Sequence, residues 1–122
     1  MSADWPRILE FYREFDRQTP DRSILPALRG LENLVAHIID KRADQGINGW
    51  TSVLDLCIQQ GNHRPYSVPY LRISSRPSGQ LEFRYLDTGI EARQWHRLEA
   101  PERAIDRFEG FLSQLRWVAA AP

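Results

Sequence analysis

The residues most capable of chemistry are Asp87, Thr88 and Gly89, which directly follow the apolar Leu86. An aspartate in a tight loop after an apolar strand end can act as a general acid or base, if the loop holds its carboxylate beside a substrate. The same residue types also form turns, because Asp accepts hydrogen bonds from nearby backbone N–H groups and Gly tolerates positive φ. The surrounding elements decide between the two interpretations.

Retroviral aspartic proteases present their catalytic carboxylate in a similar Asp-Thr-Gly string, and the resemblance covers only residues 86–89. Such enzymes also need a second apolar-apolar-glycine element, but the chain has a single glycine after Gly89, Gly110, within a helical pattern. They are almost entirely β, whereas this chain opens with two helical patterns. We therefore predict a three- to four-residue hairpin turn, with Asp87 as its first residue and Gly89 at a positive φ.

No other residues have the spacing of a catalytic or metal site. His37, His63 and His96 fall in a helix, a turn and a strand, and Cys57 has no second cysteine to help it bind a metal. Within an apolar run, Cys57 fits a small buried residue better than a nucleophile. The chain also lacks a glycine-rich phosphate loop and a dinucleotide fingerprint. The sequence thus predicts no enzyme, no cofactor and no metal.

The charge balance narrows the possible partners. Sixteen basic and sixteen acidic residues cancel among 122, so no broad basic field is available to hold nucleic acid or a membrane surface. No apolar run approaches the ~20 residues that span a bilayer. A single cysteine excludes an intramolecular disulfide and favours the cytoplasm. A chain of this length is expected to form one domain, residues 1–122.

Three segments have helical periodicity. Residues 4–18 begin with Asp4 in an N-cap position and Pro6 in the first turn, and apolar residues recur at helical spacing. A second apolar stripe runs from Pro26 to about residue 43. A third helix is predicted from Pro101, with Gly110 allowing close packing against a neighbour.

Four strands are predicted between the second and third helices. They cover residues 50–59, 70–75, 80–86 and 90–99, and Arg76-Pro77-Ser78-Gly79 has the composition of a tight turn between the middle two. In the first strand, Trp50 is assigned to the same face as Leu54, Leu56 and Ile58. We therefore predict an α+β domain with two N-terminal helices, a four-stranded antiparallel meander and a C-terminal helix, and the helices mainly on one sheet face.

The opposite sheet face carries charged and aromatic residues. Alternating charges on neighbouring strands are typical of cross-strand pairs on a solvated face, but Trp, Tyr and Arg also dominate the energetics of protein interfaces. Whether Trp95 belongs to the core or to an interface stays open, as does the path of residues 60–68. The candidate partner-binding residues are Asp55, Tyr70, Arg72, Glu82, Arg84, Arg93, Trp95 and Arg97.

The segment 86–118 combines a charged hairpin strand containing a tryptophan with a helix that ends in Leu-x-Trp. In this architecture it resembles the small cytoplasmic immunity proteins encoded beside bacterial polymorphic and type VI secreted toxins. The resemblance covers about a third of the chain and carries over no functional residue. It implies a one-domain protein without a cofactor that binds a cognate toxin domain and blocks its active site.

The sequence therefore favours a protein-binding inhibitor that neutralises a partner by occlusion. One alternative is a structural or adaptor subunit that pairs through the same sheet, possibly as a homodimer. Another is a small enzyme or ligand-binding domain with a pocket between sheet and helices.

Overall fold

A computed structural model describes residues 4–42, 45–87 and 89–117. It is an α+β fold in which two helices precede an antiparallel sheet and a third helix follows it. The helices are α1 (Trp5–Gln18), α2 (Leu25–Lys41) and α3 (Ala104–Leu115). Short 3-10 segments cover Arg22–Ile24, Glu91–Arg93 and Pro101–Arg103.

The helices begin where the sequence signals indicated. The Asp4 side chain caps α1 by accepting a hydrogen bond from the backbone N–H of Arg7 at 3.2 Å, and Pro6 lies in the first turn. The 3-10 segment that starts at Pro101 leads directly into α3. The three predicted helices are confirmed, because capping residues and apolar periodicity are local properties of the chain.

The sheet has five strands, so the predicted number of four is wrong. In chain order and in sheet order they are β1 (Ile47–Ser52), β2 (Asp55–Gln60), β3 (Tyr70–Ser75), β4 (Leu81–Leu86) and β5 (Trp95–Glu99), each antiparallel to the next.

The predicted first strand is a hairpin. Ser52 pairs with Asp55, and the two-residue turn between them consists of Val53 and Leu54. Val53 takes φ +57°, a conformation that β-branched residues rarely adopt. The hydroxyl of Tyr12 in α1 donates a hydrogen bond to the Leu54 carbonyl at 2.9 Å and so ties the turn to the first helix. Neither central residue of the turn, Val53 or Leu54, is of a type that favours turns.

The connection between β4 and β5 is longer than predicted. It spans residues 87–94 and includes the 3-10 segment Glu91–Arg93, so β5 begins at Trp95 rather than at Ile90. The Arg76–Gly79 turn is confirmed: the Gly79 N–H donates to the Arg76 carbonyl at 2.8 Å, and Gly79 has φ +85°.

All three helices contribute to a core on one side of the sheet, here called the inner face. The rings of Phe83 and Phe111 lie 5.7 Å apart and join β4 to α3. The strand residues of this core are buried together with residues from all three helices; they are Ile47, Leu56, Ile58, Leu71, Ile73, Leu81 and Phe83. Burial of this apolar surface is the main favourable contribution to folding.

Two helical contacts depend on glycine. A Cβ on Gly49 in β1 would lie 2.4 Å from the Trp5 ring of α1, and a Cβ on Gly30 in α2 would lie 2.8 Å from the Pro101 Cβ. A Cβ on Gly110 would instead meet no atom from another part of the fold within 4 Å. The prediction that Gly110 allows close packing is therefore wrong.

Carboxylates also lie between the helices. Asp16 of α1 is 3.5 Å from the Arg29 guanidinium and interacts with Glu32 of α2. Burial, followed by the hydrogen bond and charge of Asp16, raises the pKa of Glu32 to about 7. Between α2 and α3, Glu109 accepts hydrogen bonds from Arg42 and forms one with His37 at 2.9 Å.

We expect Gly49→Ala to lower the free energy of unfolding by about 1–3 kcal/mol, because the new methyl group overlaps the Trp5 ring and the Cys57 carbonyl. Gly110→Ala provides the matched change in open space and should raise stability by about 0.5–1 kcal/mol through helix propensity. Urea denaturation of the two variants measures both effects. Equal effects in the two variants would contradict the Gly49–Trp5 contact.

We expect Glu32 to make stability decrease as pH rises. Because its folded-state pKa of about 7 exceeds its ordinary value of 4.5, the folded chain binds the extra proton. This contribution is complete below pH 4.5 and is lost as pH rises towards 7. Glu32→Gln should remove this part of the pH dependence, whereas Glu102→Gln, on an exposed residue, should not. Urea midpoints at about pH 5 and pH 8 measure it, and identical profiles for wild type and Glu32→Gln would contradict the assignment.

Candidate protein-binding face

The sheet face opposite the helices is here called the outer face. Antiparallel partners project to the same side of a sheet, so the strand registers define its members. Cys57, for example, pairs with Trp50 and Arg72, and Arg72 pairs with Arg84. The outer face comprises Asn48, Trp50, Ser52, Asp55, Cys57, Gln59, Tyr70, Arg72, Ser74, Glu82, Arg84, Leu86, His96 and Leu98.

Four charged residues form a connected group at the centre of this face, the ion-pair network of Asp55, Arg72, Arg84 and Glu82. Arg72 Nε donates to Asp55 Oδ2 at 2.7 Å, and the same oxygen lies 3.7 Å from Arg84. Arg84 also lies 3.9 Å from Glu82. Two hydroxyl groups complete the network, since Arg72 donates to Ser52 and Arg84 to Ser74, at 3.2 and 3.3 Å.

The network is partly shielded from water. The side chains of Asp55 and Arg72 are each 21% exposed and that of Arg84 is 36% exposed. Burial disfavours the charge on Arg72, but the hydrogen bond and charge of Asp55, together with the contributions of Cys57 and Tyr70, outweigh it and raise the pKa of the guanidinium. Arg72 therefore remains charged, and the contacts of both arginines hold them in defined positions.

Next to the network lies the aromatic cluster of Trp50, Tyr66 and Tyr70. Their ring centroids are 5.3 to 5.5 Å apart, and Tyr66 contacts both other rings edge-on. Such contacts favour a fixed geometry. Within the cluster, Tyr70 is buried, whereas Tyr66 is 45% exposed. Tyr66 also has φ +69°, so the loop holds it in a conformation that non-glycine residues seldom adopt.

The loop between β2 and β3, whose path the sequence left open, carries Tyr66 onto the outer face. Gln59 Nε2 donates to the His63 carbonyl at 2.6 Å, and the Asn48 side chain donates to the Gly61 carbonyl. Ser67 Oγ donates to the Arg64 carbonyl at 2.5 Å. These bonds attach the loop to β1 and β2 at its start and stabilise its turn.

Five of the eight candidate residues lie on the outer face: Asp55, Tyr70, Arg72, Glu82 and Arg84. The assignment of the other three to that face is wrong. Arg93 lies in the 3-10 segment before β5, and Arg97 pairs with Phe83 and so belongs to the helix side of the edge strand. The predicted strand had run through residues 90–99, and the actual register differs by one residue.

Trp95 belongs to the inner face. It pairs with Tyr85, and its ring lies 4.3 Å from Phe111 and stacks on Tyr85 at 5.8 Å. Trp117, which follows the C-terminal end of α3, also contacts Tyr85, with ring centroids 6.5 Å apart. Trp95 therefore extends the core beside α3.

Two outer-face contributors were missed in the sequence. Trp50 was assigned to the inner face because the β1–β2 turn has no Gly, Pro or Asn to reveal it. Tyr66 was treated as part of a turn, although a large aromatic residue directly after Pro65 in a polar loop is a signal that could have identified it.

The residues that opened the sequence analysis form a turn. Asp87 Oδ1 accepts hydrogen bonds from the N–H groups of Gly89 and Ile90, both at 3.0 Å, and Asp87 is 6% exposed. Thr88 lies outside the described residues. The carboxylate thus stabilises the start of the β4–β5 connection, as predicted for a turn, although the predicted loop of three to four residues is too short.

Two further properties concern the described part of the chain. Residues 4–42, 45–87 and 89–117 contain no group of three or more His, Cys, Asp or Glu side chains arranged to hold a metal ion. In the same ranges, none of the helices combines the length and apolar character needed to cross a lipid bilayer.

Comparisons of the chain with models of protein families, with curated proteins and with solved structures found no match.

We expect Asp55→Asn to lower the free energy of unfolding by about 1–3 kcal/mol, because it removes a charge-assisted hydrogen bond and leaves Arg72 and Arg84 with mutual repulsion. Asp40→Asn is the matched control, since the Asp40–Lys41 pair is exposed at 3.5 Å and should contribute under about 0.5 kcal/mol. Urea denaturation at low and high salt measures both. Equal losses would show that the network has no special role.

Proposed function

We propose that this protein is an inhibitor of the immunity-protein type, which binds a partner protein through its outer face and blocks the partner's active site. The observation that carries the proposal is the composition of that face. On this face, Arg72 and Arg84, which are both held by Asp55, lie near the exposed Tyr66. Among the described residues, no helix packs on this side of the sheet.

The ion-pair network is better suited to binding a partner than to stabilising the fold. Arginine is among the residues that contribute most to protein interfaces, and an arginine that is already positioned loses little conformational entropy on binding. Arg72 and Arg84 are held by Asp55, Ser52 and Ser74 and still have exposed surface. They are therefore suited to acidic or hydrogen-bond-accepting groups of a partner.

The aromatic cluster supports the same proposal. Tyr66 projects beside the network with nearly half of its surface exposed and is fixed by Trp50 and Tyr70 beneath it. Val53 at the tip of the β1–β2 turn is 88% exposed and has a positive φ. Unusual backbone conformations persist where the surrounding structure compensates for them, and they often mark functional surfaces.

The proposed mechanism needs no chemistry from this chain. A blocker requires a preorganised surface that buries on the order of 800 Å² per partner, with the aromatic and arginine residues near its centre. Burial raises the pKa of the Cys57 thiol to about 11, so this outer-face cysteine stays protonated near neutral pH and is a poor nucleophile. As in the immunity proteins that the sequence resembles, the expected place of action is the cytoplasm and the expected partner a toxin domain.

The test uses the protein encoded by the neighbouring open reading frame in the native host, or the protein that co-purifies from that host. We expect one equivalent of this chain to abolish the partner's activity. Arg84→Glu and Tyr66→Ala should each weaken binding by about tenfold or more in calorimetry. Arg22→Glu, a charge reversal at an exposed residue between α1 and α2, should leave binding unchanged.

Three results would separate the possibilities. Binding that persists in the Arg84 and Tyr66 variants would refute the outer face as the docking surface. Tight binding that leaves the partner fully active would refute occlusion and favour the adaptor alternative. A stable homodimer that dissociates in the Tyr66 variant would show that the outer face pairs with itself.

A further inference from the structure

The turn between β1 and β2 presents the most exposed large apolar side chain among the described residues. Val53 is 88% exposed, whereas the other exposed large apolar residues are at most 50% exposed. Single apolar residues on a protein surface are common and need no explanation by themselves. Val53 is different because its backbone conformation is also unfavourable.

The backbone of Val53 has a conformation that suits glycine. Val53 is the first of the two central residues of the turn and has φ +57°, whereas Leu54, the second, does not have a positive φ. A positive φ at the first position alone is typical of a type II′ hairpin turn, in which glycine is preferred there. A β-branched residue at positive φ is an outlier, because its side chain crowds the backbone. Valine at this position therefore costs conformational free energy.

The fold gains no packing from this valine. The neighbouring Leu54 is partly buried against the core, but Val53 belongs neither to the core nor to the residues packed against it. An apolar side chain stabilises a fold when it leaves water, and Val53 stays in water. Within the described part of the chain, Val53 thus costs free energy without a compensating contact.

Contacts from both sides of the sheet hold the turn in this conformation. Arg72 donates hydrogen bonds to Asp55 at 2.7 Å and to Ser52 at 3.2 Å, and these two residues flank the turn. From α1, the Tyr12 hydroxyl donates to the Leu54 carbonyl at 2.9 Å. Unfavourable backbone conformations persist where the surrounding structure fixes them, and they cluster at functional sites. The turn is therefore a rigid support for an exposed apolar group.

We infer that Val53 is an apolar anchor that enters a small apolar pocket in the cleft of the partner protein that the outer face covers. This inference rests on the proposed function, since Ser52 and Asp55 on either side of the turn belong to the outer face. A two-residue turn is narrow enough to enter a cleft that the broader sheet surface does not. Because the turn is already fixed, little entropy is lost when the anchor is buried.

The surroundings of Val53 favour a protein pocket over a membrane surface. Membrane-binding segments combine several apolar residues with basic ones. The turn presents one apolar side chain, because Leu54 packs against the core and Ser52 is polar. The nearest charges, on Asp55 and Arg72, are paired with each other at 2.7 Å and give no basic excess.

The composition of the outer face favours a different protein over a second copy of this chain. In a dimer formed through the outer face, Val53 of one copy would contact the outer face of the other. The residues of that face are mainly polar or charged. An apolar anchor gains free energy only where it displaces water from apolar surface. A partner with an apolar pocket meets this requirement.

The first test is the change Val53→Asn in the full chain. Asparagine is similar in size to valine and tolerates a positive φ, but it is polar. We expect the melting temperature to rise by roughly 2–5 °C, because the strain is relieved. We also expect the affinity for the partner used to test the proposed function to fall by about tenfold or more in calorimetry.

The matched control is Ile90→Asn. Ile90 is 43% exposed, has φ −138° and lies in the connection between β4 and β5, so it is an exposed apolar residue without backbone strain. This change should neither raise the melting temperature nor change the affinity.

A cross-linking experiment identifies what Val53 contacts. A diazirine-bearing apolar amino acid in place of Val53 should, on illumination of the complex, form cross-links to apolar residues of the partner's active-site cleft. Cross-links to a second copy of this chain, or to a partner surface outside that cleft, would overturn the inference.

Two further results would overturn it while leaving the proposed function in place. One is a Val53→Asn variant that melts no higher than the wild type, which would show that the turn is not strained. The other is unchanged affinity in this variant when Arg84→Glu and Tyr66→Ala weaken binding. Binding that persists in all three variants would refute both the anchor and the outer face as the docking surface.

Discussion

All three helices of this protein cover the inner face of the sheet, and this one-sided arrangement determines the chemistry of the outer face. Side chains alternate between the two sheet faces along β2, β3 and β4. Those on the inner face are mainly apolar and join the helices in one core. The outer residues receive no helix from the described part of the chain and must satisfy their polar groups among themselves. The ion-pair network and the aromatic cluster are the result.

The ion-pair network is better explained by the positions it fixes than by the stability it adds. Partly exposed ion pairs contribute modestly to folding, because desolvation and side-chain entropy offset most of the Coulomb attraction. The same bonds hold Arg72 and Arg84 in defined positions beside Tyr66, which lowers the entropy lost when a partner binds. A surface of this kind suits a protein whose activity is binding.

The β1–β2 hairpin connects the first helix to the outer face. Its turn places Trp50 on the outer face, where Tyr66 packs against it, and it leaves β1 as the edge strand beside α1. Trp5 fits against Gly49, and Tyr12 bonds to the turn, so α1 fixes the position of both β1 and the turn. The strand that carries Trp50 onto the outer face is therefore anchored by α1.

The sequence by itself determined the features that depend on neighbouring residues. Apolar periodicity and the Asp4 cap predicted the three helices, and alternation predicted the inner-face residues of β3 and β4. Asp87 was predicted to start a turn from its residue type and its position between two strand-like runs, and its carboxylate accepts hydrogen bonds from N–H groups two and three residues along the chain. Five of the eight candidate residues were placed on the correct face for the same reason.

Only the tertiary structure decided where contacts between distant residues override these local patterns. The Val53–Leu54 turn has no sequence signal, and the Tyr12 hydroxyl that bonds to it lies 42 residues away. Trp95 faces inward because Phe111 of α3 and Tyr85 of β4 pack against it. A strand has a period of two, so one undetected turn or a register shift of one residue moves every following side chain to the other face. Contacts across the fold set that register, and a sequence pattern alone does not contain them.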